Sequence, residues 1–375
     1  MLRKTYAAVD LSKIAHNIRV LQRSMGAEER AMAVVKANAY GHGMKEIAKT
    51  AQKCGVCWFA VATADEAVAL RESCDGNILL LSPADEDSDW ALVKNGISVT
   101  AFTQEHLYAL CKIAQELGMR ARVHIKVDTG MGRIGLRTEQ EMAHILDYFD
   151  AHRQQLKLEG LFTHFASADQ PKEDFTALQL ERYLRYRGLV LERGYRPICH
   201  ASNSAAILGR SDARFDLCRM GISMYGYPPS LEMRPLAGEL VPALSLKSKI
   251  IHVKTIEAGE CVGYGRTYTA KKETEIATVA IGYADGYPRA LSNRGSALFR
   301  GERVPIAGRV CMDQVMFDVT GLGAQVGEEI TLMGECGGQS ITADEIAEAC
   351  GNGMISYEVL TGISARVPRV YMDEC

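Results

Sequence analysis

A lysine amine can form a Schiff base with an aldehyde, and the segment AVVKANAYGHG (33–43) places Lys36 where an apolar run stops. A charge in that position is costly unless it is paired or neutralised. A lysine snorkelling from a strand end is the plain alternative. Other residues of catalytic type fall in similar places. Lys126 and Asp128 lie in ARVHIKVDTG with Arg133 just after it, and His164 lies in LEGLFTHFA. Arg219 and Gly221 lie in LCRMGISMYG. Asn203 and Ser204, in ASNSAAI, precede a helical stretch whose free N–H groups favour an anion. Gly221 lets backbone N–H groups approach a ligand closely. A phosphate held there and an amine at the end of the first run suggest a phosphorylated aldehyde cofactor bound as a Schiff base. Pyridoxal phosphate is the natural candidate. Taken singly, Arg219 reads as a surface ion pair, His164 as a satisfied core histidine and Ser204 as a helix cap. Their convergence on one rim favours a site.

The elements that would position these residues are eight short β-branched runs alternating with helical stretches. The runs are AMAVVKA (31–37), WFAVAT (58–63), NILLLS (77–82), GISVTAF (96–102), ARVHIKVDTG (121–130), LEGLFTHFA (158–166), PICHASN (197–203) and LCRMGISMYG (217–226). Between them lie TQEHLYALCKIAQELG (103–118), with Leu107, Leu110, Ile113, Ala114 and Leu117 on one helical face, and DFTALQLERYLRYRGLVLERG (174–194). LSKIAHNIRVLQRSM (11–25) adds a helix before the first run. Eight β–α units of this size predict an α/β fold, a (β/α)8 TIM-type barrel, whose active site lies at the C-terminal ends of its strands. After residue 240 the pattern becomes strand upon strand with tight glycine turns, and Thr342-Ala-Asp-Glu345 reads as a capping box for one short helix. The expected organisation is a barrel over 1–240 and a C-terminal, mostly β domain over 241–375.

Composition narrows the class. The chain has 375 residues, 47% hydrophobic and 24% charged, as in soluble globular proteins. A net charge of −3 gives no electrostatic reason to expect nucleic acid or an anionic membrane as a partner. The opening MLRKTYAAVD has no apolar segment suited to a signal peptide, so a cytoplasmic location is expected. Eleven cysteines without a repeating spacing read as buried small hydrophobes in a reducing compartment. Cys54 and Cys57 have redox or metal spacing but no second pair, so no metal is expected.

The motifs AVVKANAYGHG, KVDTGMGRIG, HFASAD, ASNSAA, RMGISMYG, GYGRTY, IGYADGYPR, GRVCMDQ and SYEVL, in this order, resemble those of the alanine racemases. The resemblance covers nearly the whole chain. It implies a barrel, a C-terminal β domain, pyridoxal phosphate, supply of D-alanine for peptidoglycan, and a homodimer whose active sites are shared between subunits. Lys36 would carry the cofactor and serve one face of the substrate, and Tyr264 in GYGRTY would serve the other from the partner subunit. A phenol with a pKa near 10 is a poor base unless its surroundings lower that value. The resemblance assigns that to a network of His164 and Arg219. Arg219 also aligns with the arginine that faces the pyridine nitrogen; since guanidinium stays protonated, that nitrogen should remain unprotonated and the carbanion short-lived. Arg133 resembles the arginine that contacts the cofactor's phenolic oxygen and the substrate carboxylate. Lys126 matches a lysine carbamylated in many members, an anion able to orient Arg133. Tyr40, Ser204, Gly221, Ile222 and Tyr357 match phosphate-contacting positions, and Asn203 belongs to the same cofactor-binding motif. Met312, from the partner, matches a backbone N–H donor to the substrate carboxylate. Tyr283 matches a residue narrowing the entrance, with core packing as its rival reading. Asp313 stands beside Met312 without an assigned role.

Three alternatives remain at this point. A serine or broader-specificity racemase of the same lineage shares these motifs, although Tyr357 would narrow the side-chain pocket and argue for alanine. A barrel-type pyridoxal-phosphate decarboxylase needs an acidic partner for the pyridine nitrogen, and Arg219 speaks against it. A non-catalytic cofactor-binding barrel lacks the C-terminal domain that holds Tyr264 and Met312.

Overall fold

A computed structural model describes residues 4–26, 31–170 and 175–373. In chain order the strands used below are β1 (Tyr6–Asp10), β2 (Ala31–Val34), β3 (Trp58–Val61), β4 (Asn77–Leu80), β5 (Ser98–Ala101), β6 (Ala121–Lys126), β7 (Leu156–Phe162), β8 (Ile198–His200), β9 (Cys218–Met220) and β10 (Leu244–Ile256). The described chain divides into two compact units, one comprising Ile14–Ala39 and Met44–Val241, the other Tyr40–Gly43, Pro242 onward and the N-terminal segment as far as Lys13.

The first unit is the barrel. Its eight strands pair in parallel in the order β8-β7-β6-β5-β4-β3-β2-β9. Leu217 N donates to Cys199 O at 3.2 Å and Arg219 N to Ser202 O at 3.1 Å, which closes the ring between β8 and β9. Each of the eight β-branched runs supplies one strand, shorter than its apolar run because the last residues turn into the loops. Thus β2 stops at Val34, two residues before Lys36, and β7 stops at Phe162, two before His164. The helices obey their end signals. In Gln104–Leu117, Thr103 caps the N-terminus by accepting from His106 N, Gly118 closes the other end at φ +61°, and Leu107, Leu110 and Ala114 are buried on one face. Glu139–Ala151 opens with a full capping box of Thr138 and Glu141.

The second unit is built on a nine-stranded sheet around the 13-residue strand β10. β10 pairs antiparallel with β1, Thr274–Val279 and Glu329–Cys336. β1 also pairs in parallel with Arg369–Met372. The units therefore interleave in sequence and do not follow a cut at 240/241. Ala7, Ala8 and Val9 are buried, and a strand buried in this way is stable only with neighbours on both edges. Those neighbours come from the C-terminal half of the chain. The capping box at Thr342 is half made: its side chain accepts from Glu345 N, but the Glu345 carboxylate is held by Arg303 instead of returning to the cap. No described helix is long and apolar enough to cross a membrane.

Candidate active site

Directly after β2 the backbone makes a left-handed turn, with Ala37, Asn38 and Ala39 at φ 50–54° and ψ 47–53° and Tyr40 at φ 50°. Each non-glycine residue in that region costs on the order of 1–2 kcal/mol. The fold holds it there through Asn38, whose Oδ1 accepts from Met44 N at 2.9 Å, and through Ala39 N donating to Val35 O at 2.8 Å. Lys36 sits at the start of this turn, half-buried, with no hydrogen-bond partner for its amine among the described residues. Burial lowers its pKa, and the positive charges of Arg133 and Arg219 lower it further against an opposing pull from Glu66. An amine kept partly neutral is the nucleophilic form.

The same electrostatic neighbourhood contains Lys126, His164, Arg133 and Arg219. Lys126, at the end of β6, is buried and donates to Val127 O at 3.1 Å. Burial and then Arg219 bring its pKa down to about 7. Arg133 is exposed and has no acceptor among the described residues. Arg219 on β9 is buried and fully engaged at its Nη atoms. Nη1 donates to His200 Nδ1 at 3.0 Å and His200 O at 3.2 Å. Nη2 donates to Ala201 O at 2.8 Å, Thr163 O at 2.9 Å and His164 Nδ1 at 3.1 Å. Its Nε–H has no acceptor among the described residues. Because Arg219 only donates, His164 accepts through Nδ1 and, when neutral, carries its proton on Nε2. Burial and the Arg219 charge hold the His164 pKa well below the ordinary histidine value, which keeps it neutral.

Beyond β8, Asn203 Oδ1 accepts from Ala206 N at 3.1 Å and so caps the helix Ser204–Gly209. Ser204 Oγ accepts from Gly221 N at 2.9 Å, tying that helix start to the turn after β9 and leaving the Ser204 hydroxyl proton free to donate. The Gly221 N–H is thereby occupied, whereas Ile222 N–H, first in the turn Ile222–Tyr225, has no acceptor among the described residues.

The remaining expected site residues belong to the second unit. The Tyr40 and Tyr357 rings lie 6.0 Å apart between centroids, and burial pushes the Tyr40 phenol well above its ordinary pKa. Tyr264 stands on a tight turn, Tyr264–Arg266, and is 71% exposed. Met312 is 53% exposed, Tyr283 41%. The two are joined through backbone: Tyr283 N donates to Cys311 O and Ala284 N to Met312 O, both at 3.0 Å. A Cβ on Gly282 would lie 2.3 Å from the Met312 carbonyl oxygen, so only glycine allows this approach. Met312 N–H has no acceptor among the described residues. Asp313 is paired with Arg366 at 2.7 Å, which also stands 3.5 Å from buried Asp285. Cys54 and Cys57 form no disulfide, and no cluster of three or more metal-ligating side chains occurs among the described residues.

The barrel interior also holds residues that sequence reasoning passed over. His124, Glu159 and His200 are buried beneath Arg219, on β6, β7 and β8. Each is a polar residue interrupting an apolar run, the kind of signal that drew attention to Lys36.

A half-buried amine among cations at the C-terminal rim of a closed parallel barrel is the kind of site that enzymes of the barrel class build. The chain belongs to the alanine racemase family: residues 9–229 match the family's N-terminal domain and 243–371 its C-terminal domain. It is 43% identical to the alanine racemase of Symbiobacterium thermophilum over all of this chain and 98% of that one. Among solved structures, the alanine racemase of Bacillus anthracis with bound L-Ala-P superposes with a TM-score of 0.93 at 38% identity, covering 99% of this chain and 96% of that one. The enzyme from D-cycloserine-producing Streptomyces lavendulae gives 0.92 at 34%, covering 100% and 98%. The protein is accordingly an isomerase that interconverts L- and D-alanine. The decarboxylase and non-catalytic readings fall away.

Proposed function

We propose that the chain racemises alanine with pyridoxal phosphate held on Lys36, as a homodimer with two shared sites. The observation that carries this reading is the half-buried Lys36 amine, its pKa lowered by burial and by Arg133 and Arg219. The residues present fit that cofactor. Ser204 Oγ and Ile222 N–H suit a phosphate, Arg219 Nε–H suits a ring nitrogen, and Arg133 suits a phenolic oxygen and a carboxylate. When bound, the cofactor supplies the electron withdrawal that acidifies an amino-acid Cα–H.

The protein's own groups do the rest. Lys36, with its amine free, would hold or give a proton at one face of Cα. On the opposite face the partner subunit's Tyr264 does the same, since a proton must return on the side from which it did not leave. His164 Nε2–H donates toward that tyrosine oxygen and favours its ionised form. Arg219, always a donor, would offer its Nε–H to the ring nitrogen of the bound cofactor and disfavour protonation there. Arg133 and the partner subunit's Met312 N–H orient the substrate carboxylate. Lys126, with a pKa of about 7, is neutral often enough near pH 7 to take up carbon dioxide. The carbamate would be the anion that Arg133 lacks. Exposure of Tyr264, Met312 and Tyr283 supports a second copy of the chain as their partner. Supply of D-alanine for peptidoglycan and a cytoplasmic location accord with this reading.

The direct test has two parts. D/L interconversion is assayed across a panel including alanine and serine, and borohydride reduction followed by peptide mapping locates the cofactor. Alanine as preferred substrate and label on the Lys36 peptide are expected. Label elsewhere defeats the assignment of Lys36, and a faster reaction with serine defeats that of substrate.

A further inference from the structure

We propose that Glu159 is a positioning residue for Arg219, acting through a one-way chain across the barrel interior, by hydrogen bonds from Arg219 to His200 to His124 and by a longer charge–dipole contact from His124 to Glu159. The direction follows from chemistry at one end. Arg219 Nη1 can only donate to His200 Nδ1, 3.0 Å away, so neutral His200 carries its proton on Nε2. His200 Nε2 stands 3.0 Å from His124 Nδ1, so His124 accepts there and carries its own proton on Nε2. His124 Nε2 faces Glu159 Oε2 at 3.6 Å and, fully buried, has no nearer acceptor among the described residues. Burial lowers the pKa of both histidines, so both are neutral, as the chain requires. Burial alone would raise Glu159, but His124 facing it and the bonds from Ser98 and Lys157 hold it at about 2.

The backbone is shaped for this contact. The β6–β7 register shifts between Val123 and His124, pairing Val123 with Leu158 and His124 with Gly160, so Glu159 is the extra residue of a bulge. A bulge re-aims a side chain within a sheet and is frequent beside active sites. Glycine follows at 160 because a Cβ there would lie 2.1 Å from His124 Nδ1. Phe162 stacks on His200 at 4.7 Å and 6° between planes, which fixes the second ring.

The arrangement answers a charge problem. Arg219 is buried and touches only carbonyl oxygens and imidazoles, with no carboxylate in contact among the described residues. A buried charge without compensation is costly. A carboxylate placed directly against the guanidinium would compete for its donors. Glu159 compensates the charge from two imidazoles away and leaves Nε–H for the site. The wiring stands on its own geometry, and its consequence for the reaction rests on the reading of Arg219 given above.

Nitrogen-15 spectra of histidine side chains test the wiring without cofactor. In the wild-type protein His124 and His200 should both be neutral, with Nε2 protonated and Nδ1 bare. In Glu159→Gln, Lys157, which donates to Glu159 Oε1 at 2.9 Å, should hold the amide oxygen. The amide NH2 then meets the His124 Nε2–H, donor against donor, while Arg219 still imposes the Nε2–H form on both imidazoles, so the tautomers should hold and the His124 Nε2 resonance should shift. Racemisation should fall by about tenfold or more, the cost typical of carboxylate–histidine outer partners. An imidazolium or Nδ1–H form in the wild type, or a His124 Nε2 resonance unmoved in a folded Glu159→Gln, overturns the chain. If Glu159→Gln does not fold, the wild-type spectrum decides alone. A shifted His124 resonance with full activity overturns the positioning role and leaves the Lys36 chemistry standing.

Discussion

The barrel rim and the Tyr264 edge of the second unit are both expected to face the same substrate, yet they are built in opposite ways. At the rim the buried cation is held by its own chain: Arg219 makes five hydrogen bonds through its two Nη atoms and is 3% exposed. On the second unit, Tyr264 and Met312 are more than half exposed. The lesson concerns preorganisation. Electrostatic groups work best when fixed before the reaction, and one fold can fix them on its own. An acid–base group that must reach the far face of a substrate has to arrive on a separate body, and its exposure marks the need for one.

The sharpest break of this comparison is at Lys36. Lys36→Ala removes the rim amine that stands at the start of the left-handed turn. Protein-bound cofactor absorbance and racemisation should disappear together, with activity down by at least about 10³-fold, as for other acid–base groups. Retained covalent cofactor in a spectrum of the purified variant would move the chemistry to another lysine. Next comes the division between bodies. Lys36→Ala and Tyr264→Phe homodimers should each be nearly inactive. Mixing equal amounts makes about half the dimers mixed, each with one site free of both lesions, so roughly a quarter of wild-type sites return. Confirmed subunit exchange without recovered activity would place both residues in one chain.

Arg219→Glu tests the rim from the other side. An acid facing the ring nitrogen favours its protonation and a longer-lived carbanion. Racemisation should slow, with a new long-wavelength absorbance and more amino-transfer per turnover. Unchanged partitioning would sink the electronic role of Arg219. A smaller effect is expected at Lys126. Carbon-13-labelled bicarbonate should give a carbamate resonance that Lys126→Ala lacks, with activity lower by about tenfold through a less ordered Arg133. A wild-type protein without that resonance removes the anion from the account.

Much of this was legible in the sequence because the barrel repeats one signal eight times. Each strand was an apolar run, and residues that break the runs toward their C-terminal ends, such as Lys36, Lys126 and His164, mark the rim. The exact ends were not legible, since β2 and β7 stop where the backbone turns, and the left-handed turn at Ala37–Ala39 has no glycine to announce it. β1 was invisible as part of the second unit because five residues of strand carry no statement of their partners, which lie more than 230 positions away. The interior chain was missed for a different reason. His124, Glu159 and His200 break apolar runs as Lys36 does, but they sit within strands, and strand register with its bulge decides whether such residues meet.

The mildest prediction follows from those buried histidines and concerns stability. His164 and His200 have folded pKa values well below the ordinary 6.5, through burial first and the Arg219 charge second. Unfolded, each binds a proton as pH falls through about 6.5; folded, each resists. The unfolded state therefore binds more protons below that pH, and stability falls as pH falls. Depressed pKa values leave the contribution intact above about pH 6.5 and drain it below. Glu159, held at about 2, keeps its own contribution until pH drops through the ordinary carboxylate range near 4.3, so the interval from about 6.5 to 4.5 isolates the histidines. Within it each such histidine adds a slope of up to about 1.4 kcal/mol per pH unit. His200→Asn should flatten the slope by roughly one proton's worth, measured by urea unfolding at several pH values. An unaltered slope would mean that His200 takes up its proton inside the barrel, where Arg219 and the Nδ1 it donates to leave no place for one.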